Sequence, residues 1–325
     1  MARLSDNKPV IDEQIPMHLD GDMQKFVQSF VAWLRDNGMN LIWSSAYTWK
    51  AGYKGETICS VQMPLHGFKN TWLVSPHLFR MDAYKAVIET ETTIQKEIGP
   101  DILKAGYAQL YFPAFAYGHY GYEYYFSAYA LYPEVFDRYF TLQGDYWYLR
   151  NKAVVKAYKQ ADLPLYHRLD HDMADGRGVL VDVKTLERAW VPAFIKALSP
   201  VAEADFTLLW HCDGNLMKLI PYLLEAGVNG FQGFQYEFEM DYPYICNLKA
   251  KDGKSMVIEA GVSVTRELPM GKPDDVKKQL DWLVEYGPKT GLFLGMSSSC
   301  VPGTPYENIR TAIEGMQYYK THGRK

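Results

Sequence analysis

The chain has 325 residues, 48 % hydrophobic and 22 % charged, enough apolar material for a full core and too much for a disordered chain. A formal net charge of −4 leaves no basic footprint for nucleic acid, and no apolar run reaches the length of a membrane span. Met1-Ala-Arg-Leu-Ser lacks the apolar stretch of a signal peptide, and Cys59, Cys212, Cys246 and Cys300 are too scattered for a disulfide framework, so a cytoplasmic enzyme is expected.

Short runs rich in β-branched or aromatic residues alternate with longer helical patterns. In chain order, Asp22–Asn37 sets Phe26, Phe30, Val31 and Leu34 on one helical stripe, and Leu41–Ser44 and Thr57–Gln62 read as strands. Met81–Glu97 reads as a helix, Ile102–Tyr111 as a strand, Pro133–Ala161 as a long helix and Pro164–Leu169 as a strand. Then follow helix Val183–Ala197, strand Phe206–Trp210, helix Leu216–Ala226, and strands Gly230–Phe234 and Met256–Ala260. Helix Pro273–Glu285, strand Gly291–Leu294 and helix Pro305–Tyr319 complete the series. Lys272-Pro273-Asp274-Asp275 and Thr304-Pro305-Tyr306-Glu307 are helix starts, with early acids at the positive end of the dipole.

Strand and helix repeated about eight times predict a single (β/α)8 TIM barrel over residues 1–325, with residues 1–60 a divergent N-terminal region. A doubly wound sheet is the runner-up. It is disfavoured because the chain has neither a Gly-x-Gly-x-x-Gly nor a Gly-x-x-x-x-Gly-Lys phosphate loop.

In a barrel the active site gathers residues from the C-terminal ends of several strands. Pro164–Leu169 runs into Asp170-His171-Asp172, Phe206–Trp210 into His211-Cys212-Asp213, and Gly230–Phe234 into Gln235-Tyr236-Glu237. Gly291–Leu294 runs on to Cys300. Residues two apart on an extended segment share a face, so His211 and Asp213 can chelate one ion, with Cys300 supplying a thiolate from another strand end. The alternative is a hydrogen-bonded His–Asp pair beside an inert buried Cys. Asp170, His171 and Asp172 either orient a substrate, act as acid or base, or cap the next helix, and Glu237 either joins the site or sits on a solvated loop. The chain is rich in rings, with 25 Tyr, 15 Phe and 8 Trp, and many crowd into Tyr107–Tyr132, where they either wall a pocket for a flat substrate or pack the core.

From about Tyr107 onward the sequence resembles the uroporphyrinogen decarboxylase superfamily. The resemblance rests on Arg168-Leu-Asp-His-Asp-Met-Ala-Asp-Gly-Arg-Gly-Val-Leu-Val, Trp190-Val-Pro-Ala-Phe, and His211-Cys-Asp-Gly-Asn. It continues through Leu224-Glu-Ala-Gly-Val-Asn-Gly-Phe-Gln-Gly-Phe-Gln, Met240-Asp241, and Gly295-Met-Ser-Ser-Ser-Cys-Val-Pro-Gly-Thr-Pro-Tyr-Glu-Asn-Ile309. The decarboxylase itself carries an Arg-rich N-terminal signature, whereas residues 1–60 hold only Arg3 and Arg35.

The corrinoid-dependent methyltransferase branch, and its O-demethylase members in particular, is the more similar. The resemblance implies transfer of a methyl group from an aromatic methyl ether, such as a methoxybenzoate, to the Co(I) corrinoid of a separate corrinoid-binding protein. No corrinoid-binding Asp-x-His-x-x-Gly segment occurs in this chain. A zinc site of His211, Asp213 and Cys300, with Glu237 as a further ligand, is implied, a carboxylate replacing the family's first thiolate. His171, Asp172 and His211 are the candidate catalytic residues, and Tyr111, Phe115, Tyr120, Arg168, Asp170 and Gln235 the candidate substrate-binding ones. A carboxy-lyase of the same superfamily, or a non-catalytic binding protein on the same barrel, is the alternative.

Overall fold

A computed structural model describes residues 8–324 apart from 46, 65–68 and 77–80. Two compact units make up the chain, Met1–Glu89 and Thr90–Lys325. The first holds helices α1 (Ile11–His18) and α2 (Gly21–Asp36) and strands β1 (Asn40–Ser45), β2 (Thr48–Tyr53), β3 (Glu56–Gln62) and β4 (Leu73–Pro76). These strands form an antiparallel sheet in chain order. Lys54 and Gly55 both take positive φ, 48° and 88°, in the two-residue turn that joins β2 to β3. A parallel pairing would need a crossover of a dozen residues or more, so the two early strands expected in the barrel belong to this separate sheet instead. Trp49 and Ala51 alternate with exposed Lys50 and join Ile15, Val27, Val31 and Leu34 in one core. The buried stripe of α2 is thus Val27, Val31 and Leu34, while Phe26, expected on it, is exposed.

Helix α3 (Met81–Ile98) contains the boundary between the units. The second unit then runs through β5 (Gly106–Tyr107), α4 (Tyr117–Tyr120), α5 (Tyr122–Leu131), α6 (Pro133–Gln160) and β6 (Tyr166–Asp170). A small hairpin, β7 (Ala174–Asp175) and β8 (Gly178–Val179), precedes α7 (Val183–Arg188) and α8 (Trp190–Ala202), so the single helix expected there is broken at Ala189. Next come β9 (Thr207–His211), α9 (Ile220–Glu225), β10 (Gly230–Gln232), α10 (Tyr242–Asn247) and β11 (Val257–Val262). The unit ends with α11 (Glu267–Met270), α12 (Pro273–Tyr286), β12 (Leu292–Met296) and α13 (Tyr306–His322).

Six of these strands form one sheet in the order β12-β11-β10-β9-β6-β5, and every neighbouring pair is parallel. The order follows the chain without reversal, which separates this sheet from a doubly wound one, where the order switches. The described strands number six, not the eight expected, and do not close into a barrel. They do curl. Tyr166 on β6 and Phe293 on β12 lie four strands apart, about 19 Å in a flat sheet, yet their ring centroids are 6.4 Å from each other. Phe293 is linked by register to Asp170, four residues beyond Tyr166. A shift of one residue per strand is the tilt of a (β/α)8 barrel.

Alternate side chains point away from this concave face into the helix layer. Trp210 packs against Phe112 and Phe194, Phe194 stacks on Trp190, and the Trp190 indole N–H donates to the Pro113 carbonyl at 2.8 Å. Asn151, wholly buried on α6, ties this layer together by accepting from Tyr111 N and donating to the carbonyls of Tyr111 and Ala197. Among the described residues no helix is long and apolar enough to cross a membrane.

Candidate functional site

Parallel pairing of β6 with β9 sets Asp170 beside His211, so the residues that follow both strands leave the sheet together. One imidazole nitrogen of His211 and one carboxylate oxygen each of Asp172 and Asp213 lie within 4.8 Å of one another. Two glycines shape this corner. Gly233, at φ 86°, lies against the His211 imidazole, where a Cβ would come within 2.4 Å of Nδ1. Gly214, at φ 84°, turns the chain directly after Asp213, and its N–H donates to Gln235 Oε1 at 2.6 Å. Gln235 therefore holds the loop of the cluster, where a substrate contact was expected.

Asp172 Oδ1 accepts from the Asp213 N–H at 3.1 Å, and Asp213 Oδ2 accepts from the Ser298 hydroxyl at 3.5 Å. Burial raises the Asp213 carboxyl above its ordinary range, the His211 ring opposes the shift, and the Asp172 and Asp170 carboxylates add to it. His211 Nδ1 and Asp213 Oδ1 are buried without a hydrogen-bond partner. Two carboxylates held this close repel, and a divalent cation between them and the imidazole would remove the repulsion. The donor set is nitrogen and oxygen, harder than a thiolate site.

The neighbours of the cluster have structural work. His171 Nε2 accepts from the Phe115 N–H at 2.9 Å, which places its proton on Nδ1, and its ring stacks on Tyr117. Burial pushes the His171 pKa down to about 4, so the ring is neutral near pH 7. The Tyr117 hydroxyl donates to the Asp172 carbonyl at 2.8 Å, fixing the backbone of one member of the cluster. Cys212 is buried, takes the Met173 N–H at 3.3 Å, and its thiol is pushed up to about 12 by burial.

Register extends the face across the sheet. Asp170, His211, Gln232, Glu259 and Phe293 form one row, and Arg168, two residues before Asp170, points the same way. Arg168 donates to Asp170 at 2.7 Å, and Tyr107 donates to the same carboxylate at 3.3 Å. Arg168 Nε and Gln232 Oε1 are buried and unpartnered. Glu259 makes no hydrogen bond or ion pair among the described residues, and burial raises its carboxyl against the pull of Arg168 and His211. Gln232 and Glu259 were not anticipated. The readable signal was a charged residue in Met256-Val-Ile-Glu-Ala-Gly-Val262, since a strand buried on both faces is ordinarily a continuous apolar run.

Other expected site residues lie apart. Cys300 is exposed and does not join the cluster. Glu237 takes hydrogen bonds from the Thr265 and Ser263 hydroxyls, its second oxygen being buried and unpartnered. Tyr111 is sandwiched with Trp147 and Arg150 of α6. Phe115 is buried among Tyr125, Tyr129 and Phe140, and Tyr120 is exposed beside an apolar groove on α5 and α6. Much of the aromatic excess therefore packs helices.

No protein-family model matches the chain, and no curated protein does. Among solved structures, a methyltransferase from Methanosarcina mazei is similar over 81 % of this chain and 76 % of its own, with a TM-score of 0.53 at 16 % identity. At that identity the likeness is one of fold.

Proposed function

We propose that the chain is a methyltransferase that takes a methyl group from the ether oxygen of an aromatic donor and delivers it to the Co(I) corrinoid of a separate protein. The observation that carries this reading is the Asp172–His211–Asp213 cluster at the C-terminal end of a parallel sheet, on a fold similar to that of a methyltransferase. The same cluster would hold the metal, with zinc first among the candidates for one imidazole and two carboxylates. When bound there, a divalent cation supplies Lewis acidity toward the donor's oxygen, whose departure as a phenolate is the difficult part of the reaction.

The chain's own residues prepare the site for this. The Asp213 N–H and the Tyr117 hydroxyl hold Asp172 from its side chain and its carbonyl, and Gln235 fixes the loop after Asp213. His211 is buried against Gly233, so its ring is positioned before any ligand arrives. A panel of methoxylated aromatics mixed with the protein and cob(I)alamin tests the reading by the absorbance of methylcobalamin. Donor-dependent conversion that disappears in His211→Ala is expected. No conversion with any donor, or conversion unaffected by His211→Ala, would refute it.

A further inference from the structure

The concave face below the metal-ligating cluster carries polar groups that nothing in the protein satisfies. Gln232 is nine-tenths buried, and its Oε1 has no partner. Glu259 stands beside it on the next strand, in register, equally without a hydrogen bond or ion pair among the described residues. Arg168, the cation within electrostatic reach of Glu259, already donates to Asp170 at 2.7 Å. Arg168 and Asp170 pair with each other, which leaves the Glu259 carboxylate and the Gln232 carbonyl as two acceptors without partners, beside one unpartnered donor, the Arg168 Nε.

Aromatic rings lie alongside. Burial, and secondarily the nearby Glu259 carboxylate, push the Tyr166 hydroxyl up to about 12, and Phe293, in register with Glu259, meets Tyr166 edge to face. Two residues after Phe293 on the same strand, a Cβ at Gly295 would meet nothing within 4 Å, so the face opens onto free space there. A half-buried carboxylate beside aromatic rings and a buried amide oxygen is complementary to a cation that carries N–H donors. It is poorly matched to a carboxylate, which Glu259 would repel.

We infer that Glu259 and Gln232 form a subsite for the protonated amine of a small aromatic ligand. The subsite stands on these residues alone. That its occupant is the methyl donor rests on the proposed methyl transfer, and it then replaces the methoxybenzoate expected from the resemblance with a methoxylated arylalkyl amine. Glu259 lies next to Gln232, which is next to His211 in the row, so a single ring spans the distance between the amine and the metal cluster.

Three probes of matched size separate the charges: 4-methoxybenzylamine, 4-methoxybenzyl alcohol and 4-methoxybenzoate. Calorimetric titration of the full chain is expected to give affinities in the order amine, alcohol, benzoate, with the amine favoured over the alcohol by about tenfold or more. Glu259→Gln should remove that preference and leave the alcohol unaffected. Benzoate binding as tightly as the amine, or an amine affinity unchanged in Glu259→Gln, would overturn the subsite. Should Glu259→Gln not fold, the wild-type order decides alone. Methylcobalamin formation from the same three compounds is the second arm. Amine binding with no methylcobalamin from any of them would retain the subsite and refute the methyl transfer.

Discussion

Replacing Gly233 by alanine perturbs the cluster through one methyl group. At φ 86° the residue occupies left-handed space, where a side chain costs about 1–2 kcal/mol. The added Cβ would stand 2.4 Å from His211 Nδ1 and 2.6 Å from Cε1, more than an ångström inside ordinary contact. The ring has to swing away from Asp172 and Asp213, and an off-rotamer imidazole adds about 1 kcal/mol. Together the substitution costs about 2–3 kcal/mol, which lowers the melting temperature by about 4–12 °C for a unit of this size. Because the ring no longer meets the two carboxylates, zinc affinity falls by about 10- to 100-fold, the loss typical when a ligand's support is disturbed. Differential scanning fluorimetry with and without zinc reads both effects, since a ligand that binds only the native state raises its melting point. A Gly233→Ala protein with the wild-type melting temperature and the wild-type zinc shift would refute the reasoning.

Three further outcomes are expected. Asp213→Asn abolishes stoichiometric zinc binding while Cys300→Ser leaves it intact, as read by elemental analysis after dialysis, because the exposed thiol stands outside the cluster. Stability is full above pH 6.5 and falls as the pH drops toward 4, since the unfolded chain protonates His171 first while the buried ring, with its pKa near 4, does not. His171 accounts for about 3 kcal/mol of that fall, and His167, pushed down to about 3, deepens it; urea titrations of His171→Gln should show a shallower slope. A thiol reagent should modify Cys300 alone in the native protein and all four cysteines in urea, because Cys59, Cys212 and Cys246 are buried, and fast native labelling of Cys212 would contradict its placement.

The second unit was legible because its strands are short apolar runs that end in polar groups, and the chain-order parallel sheet follows from that alternation. His211, Asp213 and Asp172 could be read as one site because strand ends of a parallel sheet converge. The first unit was misread for a physical reason: an apolar run such as Thr57–Gln62 says strand but not direction. The overlooked sign was the Lys54-Gly55 turn, too short for anything except a hairpin. His211 ends its strand, whereas Cys300 lies four residues past the end of β12, in a loop whose path the sequence spacing does not encode. The rings of Tyr107–Tyr132 suit either a pocket wall or core packing by sequence, and in α5 Tyr125 and Tyr129 pack on Phe115, Phe136 and Phe140. Glu259 lies inside β11, and Gln232 ends a β10 that stops two residues before the apolar run Gly230–Phe234 does, so neither directly follows a run of the sequence as His211 does.

X-ray absorption at the zinc edge of the zinc-loaded protein tests the central claim most directly. Ligation by Asp172, His211 and Asp213 predicts a first shell of nitrogen and oxygen alone, at about 2.0–2.2 Å, that loses its imidazole signature in His211→Ala. A sulfur scatterer at about 2.3 Å, or a spectrum unchanged in His211→Ala, would contradict it.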